Sequence, residues 1–267
     1  MTGIHRKRKN RRIMLLAVLL LFSGKEVKAA QEESVYPHLI QTVSDRDISE
    51  GLAVLGFAAT ELTGSEEPEQ VYEAVKDSVV RLDMGKAYGS GVVWQFTPGY
   101  AVIATNAHVL EFWDDRTGVV CFAQGFQKGA QLAGVSTYSD VGFLKIELDS
   151  FGDEQLTQLR QVNTGQEAGL PQTKAGERIM QIGAGADETE WICTQGTLED
   201  LAFYIPDLGA EMLYCAAQAK EGMSGGGTFD HYGRYIGMLT GGTDYRETAS
   251  IPAQVVAEAY EEVCAGY

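Results

Sequence analysis

The chain has 267 residues, 45% of them hydrophobic and 22% charged, which suits a folded protein with one large or two small cores and excludes a chain disordered throughout. Its formal net charge of −16 excludes nucleic acid and anionic lipid as natural partners, because like charge repels phosphate, and favours basic peptides through long-range attraction.

A basic stretch, Arg6 to Arg12, precedes an apolar run from Ile13 to Phe22 and then small residues up to Ala29. Ten apolar residues are too short a run to span a bilayer, and the order basic, apolar, small is that of an export leader cut after Ala29. Residues 1–29 are therefore expected to act as a signal peptide for secretion or, left uncut, as a membrane tether. Removing them takes away eight Lys/Arg and one Glu, leaving 13 basic against 36 acidic residues and a formal charge of −23. Residues 30–68 read as an N-terminal extension or propeptide, with a helix predicted from Ser44 as N-cap through Gly51 to Leu62 and TGSEEPE as a linker.

From Val71 the pattern changes to short apolar runs punctuated by glycine: SVVRLDM, GSGVVWQF, YAVIATNAHVL, GVVCFA and GFLKIEL. Their length and turn-rich spacing predict β structure, a barrel or sandwich rather than a parallel sheet interleaved with helices. Residues 150–176 are polar and strand-poor, and a second set of strands follows: ERIMQIG, EWICTQGTL, EMLYCAAQ, GGGTF and RYIGMLT. Two all-β units result, over residues 69–160 and 161–267. The second ends in a predicted helix, PAQVVAEAYEEV, with Pro252 in its first turn and Val255, Val256 and Ala259 on one side, docked on the second unit.

Cys121, Cys193, Cys215 and Cys264 form no CxxC and have no metal-ligand spacing, so they read as core thiols; Cys193 with Cys215 is the pair an oxidising compartment could join. Cys215, in an apolar run without basic neighbours, is not a nucleophile. QIGAGAD (Gln181 to Asp187) is a turn between strands, since no helix signature follows its GxG. Neither a cofactor nor a metal ion is expected.

The chemistry points to Glu221 to Phe229, EGMSGGGTF, where Ser224 stands among four glycines. Glycine tolerates positive φ and lets a main-chain N–H approach a ligand, so the amides of Gly222 and Ser224 suit an oxyanion hole. A serine hydroxyl needs a base, and the base needs an orienting group. Of four histidines, His5 and His38 fall in the N-terminal 68 residues, and His231, in FDHYGR, reads as a solvated turn residue. His108 closes a strand-like run at a strand-to-helix corner and is the candidate base. Asp140, directly before the apolar run VGFLKI, is preferred as orienter over the loop carboxylates Asp114 and Asp115.

The segments GSGVVW, YAVIATNAHVL, SDVGFLKI, AGERIMQIG, GMSGGG and YIGMLT, followed by ASIPAQ and a helix, resemble the trypsin-like serine proteases, the bacterial HtrA (Deg) branch in particular, from about Val71 to Val263. The order His108, Asp140, Ser224 matches, at spacings of 32 and 84 positions. The resemblance implies two six-stranded antiparallel β-barrels of the chymotrypsin type with a C-terminal helix. It makes His108 the general base, Asp140 its orienter and Ser224 the nucleophile of a serine endopeptidase acting on protein or peptide. It places Gln218 at the base of the substrate pocket with Leu239, Thr240 and Gly241 lining or flanking it, and an uncharged Gln218 argues against selection of Lys or Arg. Two departures matter. No PDZ domain follows the helix, so neither PDZ-directed substrate delivery nor a trimer is implied, and Met223 stands where digestive enzymes carry the aspartate that captures a new N-terminus. Two rivals remain: a catalytically silent module that binds peptides along the strand beside Gly241 by β-augmentation, and an enzyme whose cleft is filled by residues 30–68 until they are cut.

Overall fold

The computed structural model describes residues 58–62, 67–165, 171–187 and 190–264. The leader, residues 30–57 and most of the predicted helix that begins at Ser44 lie outside the described residues. Where the extension is described, it departs from expectation. Ala58–Ala59 (β1) is a short strand, not a helix end. Pro68–Val75 (α1) is a helix rather than linker and strand. Proline suits the first helical turn, where no N–H is needed, and Val71 and Val75, four residues apart, are buried together.

The first unit consists of β2 (Val79–Asp83), β3 (Tyr88–Phe96), β4 (Tyr100–Thr105), α2 (Ala107–Leu110), β5 (Val119–Phe122), β6 (Gln127–Gly129), β7 (Gln131–Val135) and β8 (Gly142–Glu147). Its sheet order is β6-β5-β2-β3-β4-β8-β7. Strands β6 and β7 are separated by Ala130 alone; the first half of this segment pairs with β5 and the second with β8. One bent strand thus joins both edges of the sheet, and counted as one it gives the six strands expected. The period-2 alternation divides the side chains: Val80, Leu82, Val93, Ile103, Leu144 and Ile146 fill the unit's own core. Val79, Val92, Val102, Ala104 and Phe143 face a second cluster shared with the other unit.

A connector follows with α3 (Asp153–Gln158) and β9 (Arg160–Gln161), the parallel partner of β1. The second unit holds β10 (Arg178–Ala184), β11 (Trp191–Ile205), β12 (Ala210–Ala216), β13 (Gly227–Asp230), β14 (Tyr235–Thr243) and β15 (Glu247–Pro252). They close into a barrel in the order β10-β11-β12-β15-β14-β13. The architecture is a chymotrypsin-like double barrel.

Helix α4 (Ala253–Cys264) buries Val256, Ala259 and Cys264. It docks on β14 and β15 as expected, but it also reaches the first barrel. The Tyr260 ring meets the edge of Phe143 at 5.7 Å, and Glu262 accepts hydrogen bonds from Ser136 Oγ at 2.7 Å and Thr137 N at 3.1 Å. Hydrogen bonds from the Thr137 and Ser136 hydroxyls hold the Glu262 carboxyl below its ordinary range. Among the described residues, no helix is long and apolar enough to cross a membrane.

None of the four cysteines is in a disulfide, and Cys193 is exposed rather than a core thiol. Cys215 faces Leu198 across the β11–β12 pairing, five residues along β11 from Cys193. That offset is roughly 17 Å of strand, far beyond a disulfide's reach. Cys215 is buried, and desolvation pushes its thiol up to about 12, which keeps it inert.

Candidate active site

The first half of the site is built at the end of β4. Thr105 closes the strand, Asn106 turns the chain with φ −72° and ψ 144°, and the single-turn α2 presents His108 outward. Asp140 lies in the turn before β8, which Ser136 N closes by donating to Val141 O at 2.8 Å. Its carboxylate holds His108 at two points. Oδ1 accepts from the His108 backbone N at 2.9 Å, and Oδ2 lies 2.8 Å from Nδ1. A carboxylate accepts, so Nδ1 carries a proton, and in the neutral imidazole the lone pair is then on Nε2. Side-chain exposures of 45% for His108 and 29% for Asp140 leave the imidazole open to solvent and its partner half covered. This is the tautomer and orientation a general base requires.

The second half lies in the turn between β12 and β13. Gly222 has φ +89° and Gly225 φ +87°, so Ser224 is flanked by backbone that L-residues rarely adopt. Space forbids side chains there as well. A Cβ on Gly225 would fall 2.1 Å from the Ser90 carbonyl, and one on Gly222 2.2 Å from the Tyr88 ring. Ser90, on β3 of the first barrel, grips this turn: its N donates to Ser224 O at 2.8 Å and its Oγ to Gly222 O at 2.6 Å. Among the described residues, the N–H groups of Gly222 and Ser224 donate to no protein group. Ser224 Oγ donates to Thr240 O at 3.2 Å, not to the imidazole.

The remaining expected residues divide. Leu239 is buried with Ile192 and Met223, and Thr240 is buried at a bulge of β14 beside half-buried Gly241. Gln218 is exposed on the loop after β12. Asp114 and Asp115 bond within their own loop and to β7: Asp114 Oδ1 accepts from Arg116 N, and Asp115 Oδ1 accepts from Trp113 Nε1 and Leu132 N, each at 2.9 Å. They fix their loop.

His231 is not the solvated turn residue expected. Its side chain is only 12% exposed, because the turn around Asp230 and Arg234 folds it inward against Tyr232, with ring centroids 4.0 Å apart. Three residues that sequence reasoning did not single out bear on the site: Ser90, Asn106 and Glu262. The one available signal was Asn106, which with Thr105 interrupts the apolar run before His108.

Fold and site together define a double-barrel protein of the chymotrypsin type, with a histidine–aspartate pair on one barrel and a glycine-rich serine turn on the other. The model of the trypsin-like peptidase domain matches residues 89–238, more than half of the chain, and the chain belongs to that family. It is similar in structure to the HtrA-type protease AlgW with tripeptide, at 23% identity and a TM-score of 0.60, over 74% of this chain and 64% of that one. A variant of AlgW with tripeptide gives 22% identity and the same TM-score of 0.60, over 73% and 62%. The chain thus spans less than two thirds of the length of these structures. No curated protein matches its sequence.

Proposed function

We propose that the chain is an exported serine endopeptidase in which Ser224 is the nucleophile, His108 the general base and Asp140 its orienter. The observation that carries this reading is the two-point grip of the Asp140 carboxylate on His108, at 2.8 and 2.9 Å, which fixes the imidazole for proton transfer. Ser224 Oγ attacks the peptide carbonyl carbon and passes its proton to His108 Nε2. The oxyanion takes the unengaged amides of Gly222 and Ser224. Collapse expels the amine, which carries off that proton, and water then hydrolyses the acyl-enzyme by the same route. The basic, apolar and small residues up to Ala29 support export, with membrane tethering if the leader stays uncut. The bound tripeptide in the AlgW structures supports a peptide as ligand here.

Ser224 must leave Thr240 O for His108 before it can react, a change of side-chain rotamer that substrate would drive. The same hydrogen bond favours a second reading, a module that binds peptides without cutting them. Digestion of an unfolded basic protein, followed by fragment masses, separates the two. The enzyme reading expects cleavage that Ser224→Ala lowers by about 10⁶-fold and Asp140→Asn by about 10⁴-fold. Binding without cleavage by the parent chain overturns it.

A further inference from the structure

Asn106 occupies the N-cap of α2, a place where asparagine is favoured because its side chain can accept from the free amides of the first turn. It makes no such cap bond. The side chain is fully buried and turns the other way, where Nδ2 donates to Thr240 Oγ1 at 2.8 Å and to Asp140 O at 3.1 Å, with Met238 Sδ at 3.4 Å. The orientation of the amide is fixed by chemistry, since Asp140 O can only accept. Oδ1 is left buried without a donor among the described residues. A side chain that forgoes a cap bond and buries an unpaired oxygen is unfavourable for local stability, and such groups persist where the arrangement they enforce matters.

What Asn106 joins is specific. Asp140 belongs to the histidine half of the site, on the first barrel. Thr240 belongs to the second barrel, and its carbonyl holds Ser224 Oγ. The partners of Nδ2 lie 34 and 134 residues away in sequence, so this amide ties together three segments that the chain brings in separately. We infer that Asn106 is a positioning residue that sets the separation between the His108–Asp140 pair and the Ser224 hydroxyl by bridging the two barrels. It touches no reacting atom and acts through Asp140 and Thr240. The inference rests on the peptidase reading for its consequence in rate, but not for its consequence in geometry.

The test uses the 267-residue chain with Asn106→Ala, Thr240→Val and the double variant. Thr240→Val removes the acceptor hydroxyl and keeps both the shape and the carbonyl, so it probes the bridge should Asn106→Ala not fold. Two readouts are taken: the rate of fluorophosphonate adduct formation at Ser224, and the low-field proton resonance of the His108 Nδ1–H held by Asp140. Each single variant should slow labelling by about 10²-fold, the double no more than either single, and each should weaken or broaden the resonance. Labelling at the parental rate with an unchanged resonance in either folded single variant overturns the proposal. If the parent does not label yet the resonance is lost in the variants, the bridge stands and the peptidase reading falls. If the parent does not label and the resonance is unchanged, both fall.

Discussion

The first barrel is packed with Val80, Leu82, Val93, Ile103, Leu144 and Ile146 and carries His108 and Asp140 at its rim. The second encloses a polar set, Gln181, Thr228, Thr248 and Ser250, beside Leu198 and Cys215, and carries Ser224. Within that set Gln181 Nε2 donates to Thr248 Oγ1 at 2.9 Å, and the hydroxyls of Thr228 and Ser250 lie 2.8 Å apart. Gln181 Oε1 has no partner among the described residues. The barrel with the apolar core presents a pair already aligned. In the other, the serine turn is held by its own barrel, where Gly225 N donates to Leu239 O at 2.8 Å, and from outside by Ser90 of the first barrel, with positive φ at Gly222 and Gly225. The His108–Asp140 contact is thus made within one unit and braced from the other through Asn106 and Glu262, whereas the serine turn is gripped directly across the junction by Ser90.

That asymmetry can be broken most sharply at Gly225. Adding a methyl group at φ +87°, 2.1 Å from the Ser90 carbonyl, should cost about 3–5 kcal/mol in urea unfolding, because both the backbone and the template must shift. A loss under about 1 kcal/mol would mean the turn does not depend on the first barrel. A second comparison concerns the cores. Leu144→Ala in the first should cost about 2–5 kcal/mol through the cavity it leaves. Gln181→Met in the second should change stability by no more than about 1 kcal/mol, since one unpaired buried oxygen is removed along with the bonds that are lost. The reverse order would show that the polar interior holds the second barrel together.

The smallest expected effect lies at the junction of helix and first barrel. Hydrogen bonds from Thr137 and Ser136 lower the Glu262 carboxyl below its ordinary value of 4.5. A depressed carboxyl contributes stability above that value and loses it as pH falls through the lowered one. Glu262→Gln should therefore melt slightly below the parent at neutral pH, and the gap should close under acid, below about pH 4. A gap that persists in acid would assign the difference to packing.

Much of this arrangement was legible in the sequence. The strands carry their period, and Ser224 among glycines, with His108 and Asp140 in order before it, pointed to the site. What stayed hidden has physical reasons. Helix α1 has only two turns, too short for a 3.6-residue period to stand out. The bent strand from Gln127 to Val135 mixes glycine, small and polar residues and is partly exposed, so no alternation marked it. Ser90 and Asn106 act on partners 132 and 134 residues away, and no local pattern announces such contacts. Cys193 looked like a core thiol because its neighbours in sequence are apolar, but the pleat turns it outward.

The proposal that His108, held by Asp140, activates Ser224 can be tested by intact mass after treatment with a fluorophosphonate. The reagent loses fluoride as Ser224 Oγ bonds to phosphorus, and only a serine relieved of its proton by a positioned base reacts quickly. The account predicts one adduct on the parent chain, none on Ser224→Ala, and a strongly slowed reaction on His108→Ala. A parent chain that stays unmodified, or an adduct that survives in Ser224→Ala, would contradict it.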